Sequence, residues 1–192
     1  MQRISLVNAA HNLISNALHP GDIAIDATVG NGHDTLFLVE QVCPSGRVFG
    51  FDVQKAAIDS TWVKVGSHCR TGKCLTLIHA SHADMTEKIP AQYHGNISAC
   101  MFNLGYLPGG DKSIITNTDS TLTALNIADR LLSNNGIITV IAYPGHQGGD
   151  METHLVKSWC NKLDEDQYKI SIVYSSENKE SAPRLFVVRK TR

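Results

Sequence analysis

The stretch Ile23–Thr35, with the sequence IAIDATVGNGHDT, decides the fold of this 192-residue chain. Its first residues form a short apolar run, which is typical of a buried strand, and Gly30 and Gly32 mark a tight turn. A helical pattern begins at His33. A strand, a glycine turn and a helix form the first half of a βαβ unit, in which a ligand can approach the glycines and the free N–H groups of the helix.

The rest of the chain repeats this alternation of strands and helices. We predict helices over 4–18, 33–42, 54–67, 120–132 and 152–163, and strands over 23–27, 47–52, 75–79, 97–103, 137–143, 168–174 and 185–189. Asn134-Asn135-Gly136 is expected to stop the fourth helix. The alternation predicts an α/β, Rossmann-like fold with helices on both faces of a mostly parallel seven-stranded sheet. A polar segment without helical period joins the last two strands and predicts an antiparallel C-terminal hairpin, all within a single domain, 1–192.

Composition excludes several classes of protein. Apolar residues make up 42% of the chain and the net charge is -1, which argues against disorder. No apolar run spans a membrane and the N-terminus lacks a signal-peptide pattern, so a cytoplasmic protein is expected. A pI near 6.7 argues against non-specific coating of nucleic acid. The segment 157–192 nevertheless holds eight basic and five acidic residues, a local charge of +3.

Cysteine usage favours a reducing compartment. The chain has an odd number of cysteines and no C-x-x-C pair. They are Cys43, Cys69, Cys74, Cys100 and Cys160. We predict reduced, partly buried thiols. His79 and His82 lie close in sequence without a neighbouring cysteine, so no metal site is expected.

The first two predicted strands each carry an acidic residue at their carboxyl end. Asp26 would repel a pyrophosphate but suits a ligand with a positive charge, and Thr35 stands where the dinucleotide fingerprint needs a third glycine. Asp52, about twenty residues beyond the glycine turn, can accept both hydroxyls of a ribose, although an N-cap role at the next helix is the alternative. Together they indicate a nucleoside ligand with a cationic portion, such as S-adenosylmethionine. A nucleotide-binding oxidoreductase is the less favoured alternative.

The fourth strand ends in the sequence NLGY, Asn103 to Tyr106, which resembles the Asn-Pro-Pro-Tyr element of amino-methyltransferases. The Asn103 side-chain oxygen and the Leu104 carbonyl could accept the N–H protons of a nucleophilic amine and aim its lone pair at a methyl donor. Tyr106 could pack on a base or on the donor. Catalysis would then consist mostly of positioning.

The loop after the fifth strand offers candidates for proton transfer. His146 is either a base poised near neutral pH or a loop histidine bonded to backbone. Tyr143 and Glu152 are further candidates, Glu152 also being a first-turn helix acid. Lys179 and Arg184 belong to a turn that either contacts substrate or closes the hairpin.

Taken together, these motifs resemble the small class I methyltransferases of the YtqB/MnmM type, once labelled rRNA methylases. The resemblance covers essentially the whole chain. It rests on DATVGNGHDT (26–35), FDVQ (51–54), the segment 79–85, FNLGYLPGGDK (102–112), AYPGHQGG (142–149) with Glu152, and NKESAPRL (178–185).

The resemblance implies methyl transfer from S-adenosylmethionine to the amine of 5-aminomethyl-2-thiouridine at the wobble position (34) of tRNA, with the anticodon stem-loop as partner. The alternative is a methyltransferase of rRNA or of a small amine. No membrane partner is expected, and the small size allows a homodimer. An alkylamine is largely protonated at neutral pH, so a base or a depressed substrate pKa is needed.

The resemblance also implies the site residues. The donor is expected to contact Asp26, Gly30, Gly32 and Asp34 at its methionine part, Asp52 and Gln54 at its ribose, and His82, Ala83, Asp84 and Met85 at its adenine. Further donor contacts are expected from Thr28, Asn31, His33, Thr35, Asn103 and Leu104. The residues expected to act in catalysis are Asn103, Tyr106, Tyr143 and His146. Substrate contacts are expected from Leu104, Gly105, Tyr106, Lys112, Tyr143, His146, Glu152, Lys179 and Arg184.

Overall fold

A computed structural model describes residues 5–69, 74–105, 118–145, 148–176 and 181–191. Seven strands form one sheet in the order β3-β2-β1-β4-β5-β7-β6. The strands are β1 Ile23–Asp26, β2 Arg47–Asp52, β3 Leu75–His79, β4 Ile97–Asn103, β5 Leu132–Ala142, β6 Tyr168–Tyr174 and β7 Arg184–Lys190. The first five are parallel, whereas β7 runs antiparallel to both β5 and β6. The predicted fold class, including the C-terminal hairpin, is confirmed.

Helices cover both faces of this sheet. They are α1 Leu6–Ser15, α2 His33–Val42, α3 Lys55–Val65, α4 Met85–Lys88, α5 Thr118–Leu131 and α6 Gly149–Cys160, with 3-10 turns at Gly66–His68, His82–Asp84 and Ala91–Tyr93. Alternate strand residues point to opposite faces. Ala24 packs in a cluster with α1 and α2, whereas the next residue, Ile25, packs in a cluster with α5 and α6. Both faces of the sheet are therefore buried, which explains why the strands are continuous runs of apolar residues.

The boundary between α5 and β5 differs from the prediction. β5 begins at Leu132, directly after α5, so the expected break at 134–136 lies inside the strand. Asn135 adopts a left-handed conformation with φ 64°, and the register against β4 shifts between Ile97 and Ala99. Because asparagine tolerates positive φ, the bend is absorbed as an irregularity of the ladder rather than as a loop. The helix predicted over 152–163 also begins and ends three residues earlier, at Gly149 and Cys160.

The prediction that all cysteines are free thiols is wrong for one pair. Cys69 and Cys74 form a disulfide, whereas Cys43, Cys100 and Cys160 are free. The fold returns the chain from the end of α3 to the start of β3 and leaves the two Cα atoms 5.7 Å apart, within the usual range for a disulfide.

The strand order fixes where a ligand can bind. β2 and β3 lie on one side of β1, and β4 and β5 lie on the other. The direction in which successive strands are added to the sheet therefore reverses between β1 and β4. In open α/β sheets such a reversal leaves a crevice outside the carboxyl ends of the strands. Asp26 ends β1 and Asn103 ends β4, so both border this crevice. Within the described ranges, no helix is long and apolar enough to cross a membrane.

Candidate active site

Asp52 fixes the glycine turn to the end of β2. One carboxylate oxygen accepts a hydrogen bond from the Gly30 N–H at 2.9 Å, and the other accepts from the Gln54 N–H at 2.8 Å. The N-cap position of α3 belongs to Gln54, so Asp52 precedes the cap and bridges two loops. Each carboxylate oxygen can accept a second hydrogen bond, which leaves capacity for a ligand hydroxyl.

Gly32 brings the turn into close contact with α3. It has a φ of 74° and lies at the N-cap of α2, where a Cβ atom would lie 2.5 Å from Thr61 Oγ1. The Thr61 hydroxyl in turn donates to the Gly30 carbonyl at 3.3 Å. Glycine is therefore required at position 32 both by the backbone conformation and by the space that Thr61 fills.

Asp26 is a buried acid at the end of β1, with 1% of its surface exposed. Its side chain accepts hydrogen bonds from the Thr35 hydroxyl at 2.6 Å and from the Thr28 N–H at 3.1 Å. Burial, reinforced by the negative charge of Asp34, raises the pKa of Asp26 to about 7 despite these two hydrogen bonds. A cation bound nearby would favour its ionised form. Thr35, which weakens the dinucleotide interpretation, holds this carboxyl group in place.

Sequence reasoning missed His11, which lies on α1 and contacts Asp34. The His11 Nε2–H donates to Asp34 Oδ1 at 2.6 Å, and the imidazole stacks on Phe37 with 3.9 Å between ring centroids. The negative charge of Asp34 raises the pKa of Tyr143 as well as that of Asp26, although burial is the larger cause in both. These acidic groups therefore share one region at the carboxyl ends of β1 and β5. The only sequence signal was a histidine within the apolar pattern of the first helix.

Hydrogen bonds join the end of β4 to the turn after β1 and to β5. The Asn103 N–H donates to the Thr28 hydroxyl at 2.7 Å, and the Leu104 N–H donates to the Ile141 carbonyl at 2.9 Å. Asn103 is half-buried, and Gly105 has a φ of 126°. The expected amine-holding residues thus stand directly beside the turn expected to hold the donor.

His82 lies behind the end of β1. Its Nδ1–H donates to the Ala27 carbonyl at 3.1 Å, and burial lowers the pKa of the ring, which favours the neutral form. Nε2 is then left as an acceptor. Ala83 and Asp84 are half-buried, whereas the side chain of Met85 lies wholly within the core.

Two residues at the start of α2 face solvent. Asn31 and His33 are exposed, and the Lys64 ammonium donates to the Asn31 carbonyl and lies 3.4 Å from His33 Nε2. Lys64 belongs to α3, so this contact also joins the turn to the neighbouring helix.

Two expected substrate residues are occupied by internal contacts. Glu152 is 3% exposed and accepts a hydrogen bond from the Thr121 hydroxyl of α5 at 2.7 Å. Arg184 is buried, with its guanidinium 5.3 Å from the centre of the Tyr174 ring and its Nε–H donating to the Ala182 carbonyl. These contacts match the hairpin-closing alternative for Arg184. Tyr106, Lys112, His146 and Lys179 lie outside the described residues.

Comparison with known proteins places this arrangement in context. The sequence profile of the family described as "Putative rRNA methylase" matches residues 48–189. The chloroplastic tRNA (mnm(5)s(2)U34)-methyltransferase of Arabidopsis thaliana is 36% identical over 197 residues, which cover 98% of this chain and 70% of that protein.

Two crystal structures are similar over nearly their whole length. One is from Clostridium thermocellum and is described in the same words as the family. It has a TM-score of 0.89 and 35% sequence identity, and the match covers 99% of this chain and 100% of that chain. A Streptococcus mutans protein assigned as a methyltransferase, solved in complex with S-adenosylhomocysteine, has a TM-score of 0.83 and 31% identity, with 97% and 98% covered.

We expect Gly32→Ala to destabilise the chain more than Gly95→Ala does. Both glycines have positive φ, so both variants carry about 1 kcal/mol of backbone strain, but only position 32 also meets the Thr61 side chain. Urea unfolding should show an additional loss of at least about 1 kcal/mol for Gly32→Ala. Equal losses in the two variants would mean that the contact with α3 is unimportant.

We also expect Asp26 to make stability depend on pH. Its pKa is raised in the folded chain, so the folded state retains a proton that the unfolded state has lost between about pH 4 and about pH 7. Its contribution to stability is complete below the lower value and is lost as the pH rises through about 7.

Asp26→Asn should remove this dependence, which amounts to at most about 1.4 kcal/mol per pH unit for one group. Urea unfolding curves across that range measure the effect, with the exposed Asp59→Asn as control. A pH dependence in Asp26→Asn identical to that of the parent chain would contradict this assignment.

Proposed function

The chain belongs to the rRNA-methylase family whose profile matches residues 48–189, and we propose that it methylates the amine of 5-aminomethyl-2-thiouridine at wobble position 34 of tRNA. The observation that carries this substrate is the 36% identity, over 98% of the chain, to a plant enzyme named for that position. The product is the 5-methylaminomethyl nucleoside. The partner is tRNA, gripped at its anticodon stem-loop.

S-adenosylmethionine is the methyl donor, in keeping with the S-adenosylhomocysteine bound to the Streptococcus mutans relative. We assign its ribose hydroxyls to Asp52, whose oxygens retain acceptor capacity beyond Gly30 and Gln54. Asp26 and Asp34 supply negative charge for its cationic methionine part. This charge pattern favours a sulfonium donor over a pyrophosphate cofactor.

The reaction requires an amine with an exposed lone pair. The nitrogen attacks the methyl carbon, the carbon–sulfur bond breaks with its electrons going to sulfur, and the nitrogen loses one proton. We propose that the Asn103 side-chain oxygen and the Leu104 carbonyl accept the amine N–H groups and aim the lone pair. Asn103 suits this role because its backbone is fixed to Thr28 beside the donor turn. Positioning of this kind can supply most of the rate enhancement.

The proton acceptor belongs to the same acidic region. Tyr143 is a candidate there, and His146 is a candidate from the sequence that lies outside the described residues. Glu152, the third candidate, is buried and accepts a hydrogen bond from the Thr121 hydroxyl. Asp34, oriented by His11, is a further candidate that the sequence did not suggest.

Nucleoside analysis tests the proposed substrate. tRNA bearing 5-aminomethyl-2-thiouridine is incubated with the protein and S-adenosylmethionine, digested, and analysed by mass spectrometry. We expect that nucleoside to gain one methyl group, and Asn103→Ala to bind donor and tRNA but to lose turnover. Methyl transfer to rRNA or to the free nucleoside, with none to this tRNA, would instead support the family's descriptive name or a small-amine substrate.

His11→Ala tests the region around Asp34. Without the imidazole, Asp34 loses the contact that orients its carboxylate, so we expect donor affinity to fall about 5- to 10-fold, as for loss of one charge-assisted hydrogen bond. Calorimetric titration with S-adenosylhomocysteine measures the change. His19→Ala is the control, because His19 is exposed beyond the end of α1. Unchanged affinity in His11→Ala would remove the pair from the donor site.

Two finer assignments complete the proposal. We propose a cytoplasmic location and a homodimeric assembly. Sedimentation analysis tests the assembly, and a monomer at all concentrations would reject it. Lys157, Lys162 and Lys169 of the basic segment 157–192 are exposed, but Lys169 pairs with Arg189 beside Ile137, toward the amino ends of the parallel strands. Lys169 therefore lies away from the active-site edge, and we do not assign these lysines to the RNA backbone.

A further inference from the structure

Three cysteines meet at the edge of the sheet opposite to the active site. Cys43 follows α2, Cys69 follows the 3-10 turn after α3, and Cys74 directly precedes β3. Their sulfur atoms all lie within 4.8 Å of one another. The candidate active site lies at the carboxyl ends of the parallel strands, whereas this cluster lies at the amino ends. The two places are thus separated by the length of a strand.

Separate backbone hydrogen bonds hold each of these cysteines. The Cys43 N–H donates to the Val39 carbonyl at 3.0 Å, and the Cys69 N–H donates to the Gly66 carbonyl at 3.2 Å. The Cys74 carbonyl accepts from the Val48 N–H at 2.7 Å. Two connections supply the sulfurs: Cys43 lies between α2 and β2, and Cys69 and Cys74 both lie between α3 and β3. Only the tertiary fold therefore brings Cys43 to the other two cysteines.

The surroundings of the cluster are apolar, with one side open to solvent. Cys69 and Cys74 are 6% and 2% exposed and pack with the residues of the α1–α2 face, whereas Cys43 is half-buried. Cys43 is also the member that a ligand from solvent would reach first.

Cys69 and Cys74 are oxidised in this structure, but the proposed cytoplasmic location would keep them as thiols. We propose that, when this disulfide is reduced, Cys43, Cys69 and Cys74 form a three-thiolate site for a d10 divalent cation such as Zn²⁺. Sulfurs bound tetrahedrally to zinc lie about 3.8 Å apart, given Zn–S bonds of about 2.3 Å. The fourth position would be taken by water on the Cys43 side.

This inference replaces the expectation that the chain has no metal site. The expectation rested on the lack of a cysteine pair beside His79 and His82, but Cys43 joins Cys69 and Cys74 only in the folded chain. A site of this kind would join the end of α2 to the start of β3 and would stabilise the fold by mass action.

A chelator competition tests the proposal with the full-length chain. A phosphine reductant converts the disulfide to two thiols, taking up an oxygen from water to become its oxide, and is then removed without air. Zn²⁺ is titrated in the presence of a chromophoric chelator. We expect the reduced chain to bind one Zn²⁺ and the oxidised chain to bind none.

Matched variants separate the cluster from the other thiols. Cys43→Ala should weaken Zn²⁺ binding at least 10-fold, whereas Cys160→Ala, which removes a buried thiol of α6 outside the cluster, should bind as the parent chain does. Failure of the reduced parent chain to compete for Zn²⁺, or equal affinity in Cys43→Ala, would overturn the proposal.

A second measurement needs no variant. Zn²⁺ should release protons from the reduced chain and raise its Tm, because thiols must deprotonate to bind the ion and only the folded chain presents all three. The absence of both effects would also overturn the site. These readouts do not involve methyl transfer, so their failure would leave the proposed tRNA activity unaffected.

Discussion

The structure of the active-site edge depends on the buried carboxyl group of Asp26. It lies at the end of the central strand β1 and accepts hydrogen bonds from Thr28, which begins the glycine turn, and from Thr35, in the first turn of α2. Thr28 also accepts the hydrogen bond that fixes the end of β4. One acid thus aligns the strand, the turn and the helix, and indirectly the residue expected to hold the amine. Burial and the neighbouring Asp34 make ionisation of Asp26 unfavourable. A bound cation would reduce this free-energy cost of ionisation.

Much of the fold follows from local patterns in the sequence. The bounds of α2, β2, β3, β4 and β6 agree with their prediction, because each is an apolar or periodic run closed by a turn residue or an acid. The beginning of β5 was mispredicted, since Asn135 reads as a helix stop although its left-handed conformation continues a bent strand. The residues Asn-Asn-Gly fit the end of a helix as well as an irregular position in a strand. Only the pairing of β5 with β4 distinguishes the two.

The site was predictable where its residues follow one another along the chain, as in the glycine turn and in the end of β4. It was not predictable where side chains meet from distant positions. His11 and Asp34 lie 23 residues apart, and Cys43 lies 26 residues from Cys69, so no local spacing indicates either contact. Residue type also did not indicate that the side chains of Glu152 and Arg184 would be buried with contacts inside the protein.

The central claim is that an acidic edge of the sheet accepts a cationic nucleoside donor. The most direct measurement is the number of protons exchanged when S-adenosylmethionine binds near neutral pH, obtained by calorimetry in buffers of different ionisation enthalpy. Because the bound cation favours the ionised form of a group whose pKa is about 7, we predict net release of a proton from the parent chain and none from Asp26→Asn. Proton uptake, or equal release by both proteins, would contradict the account.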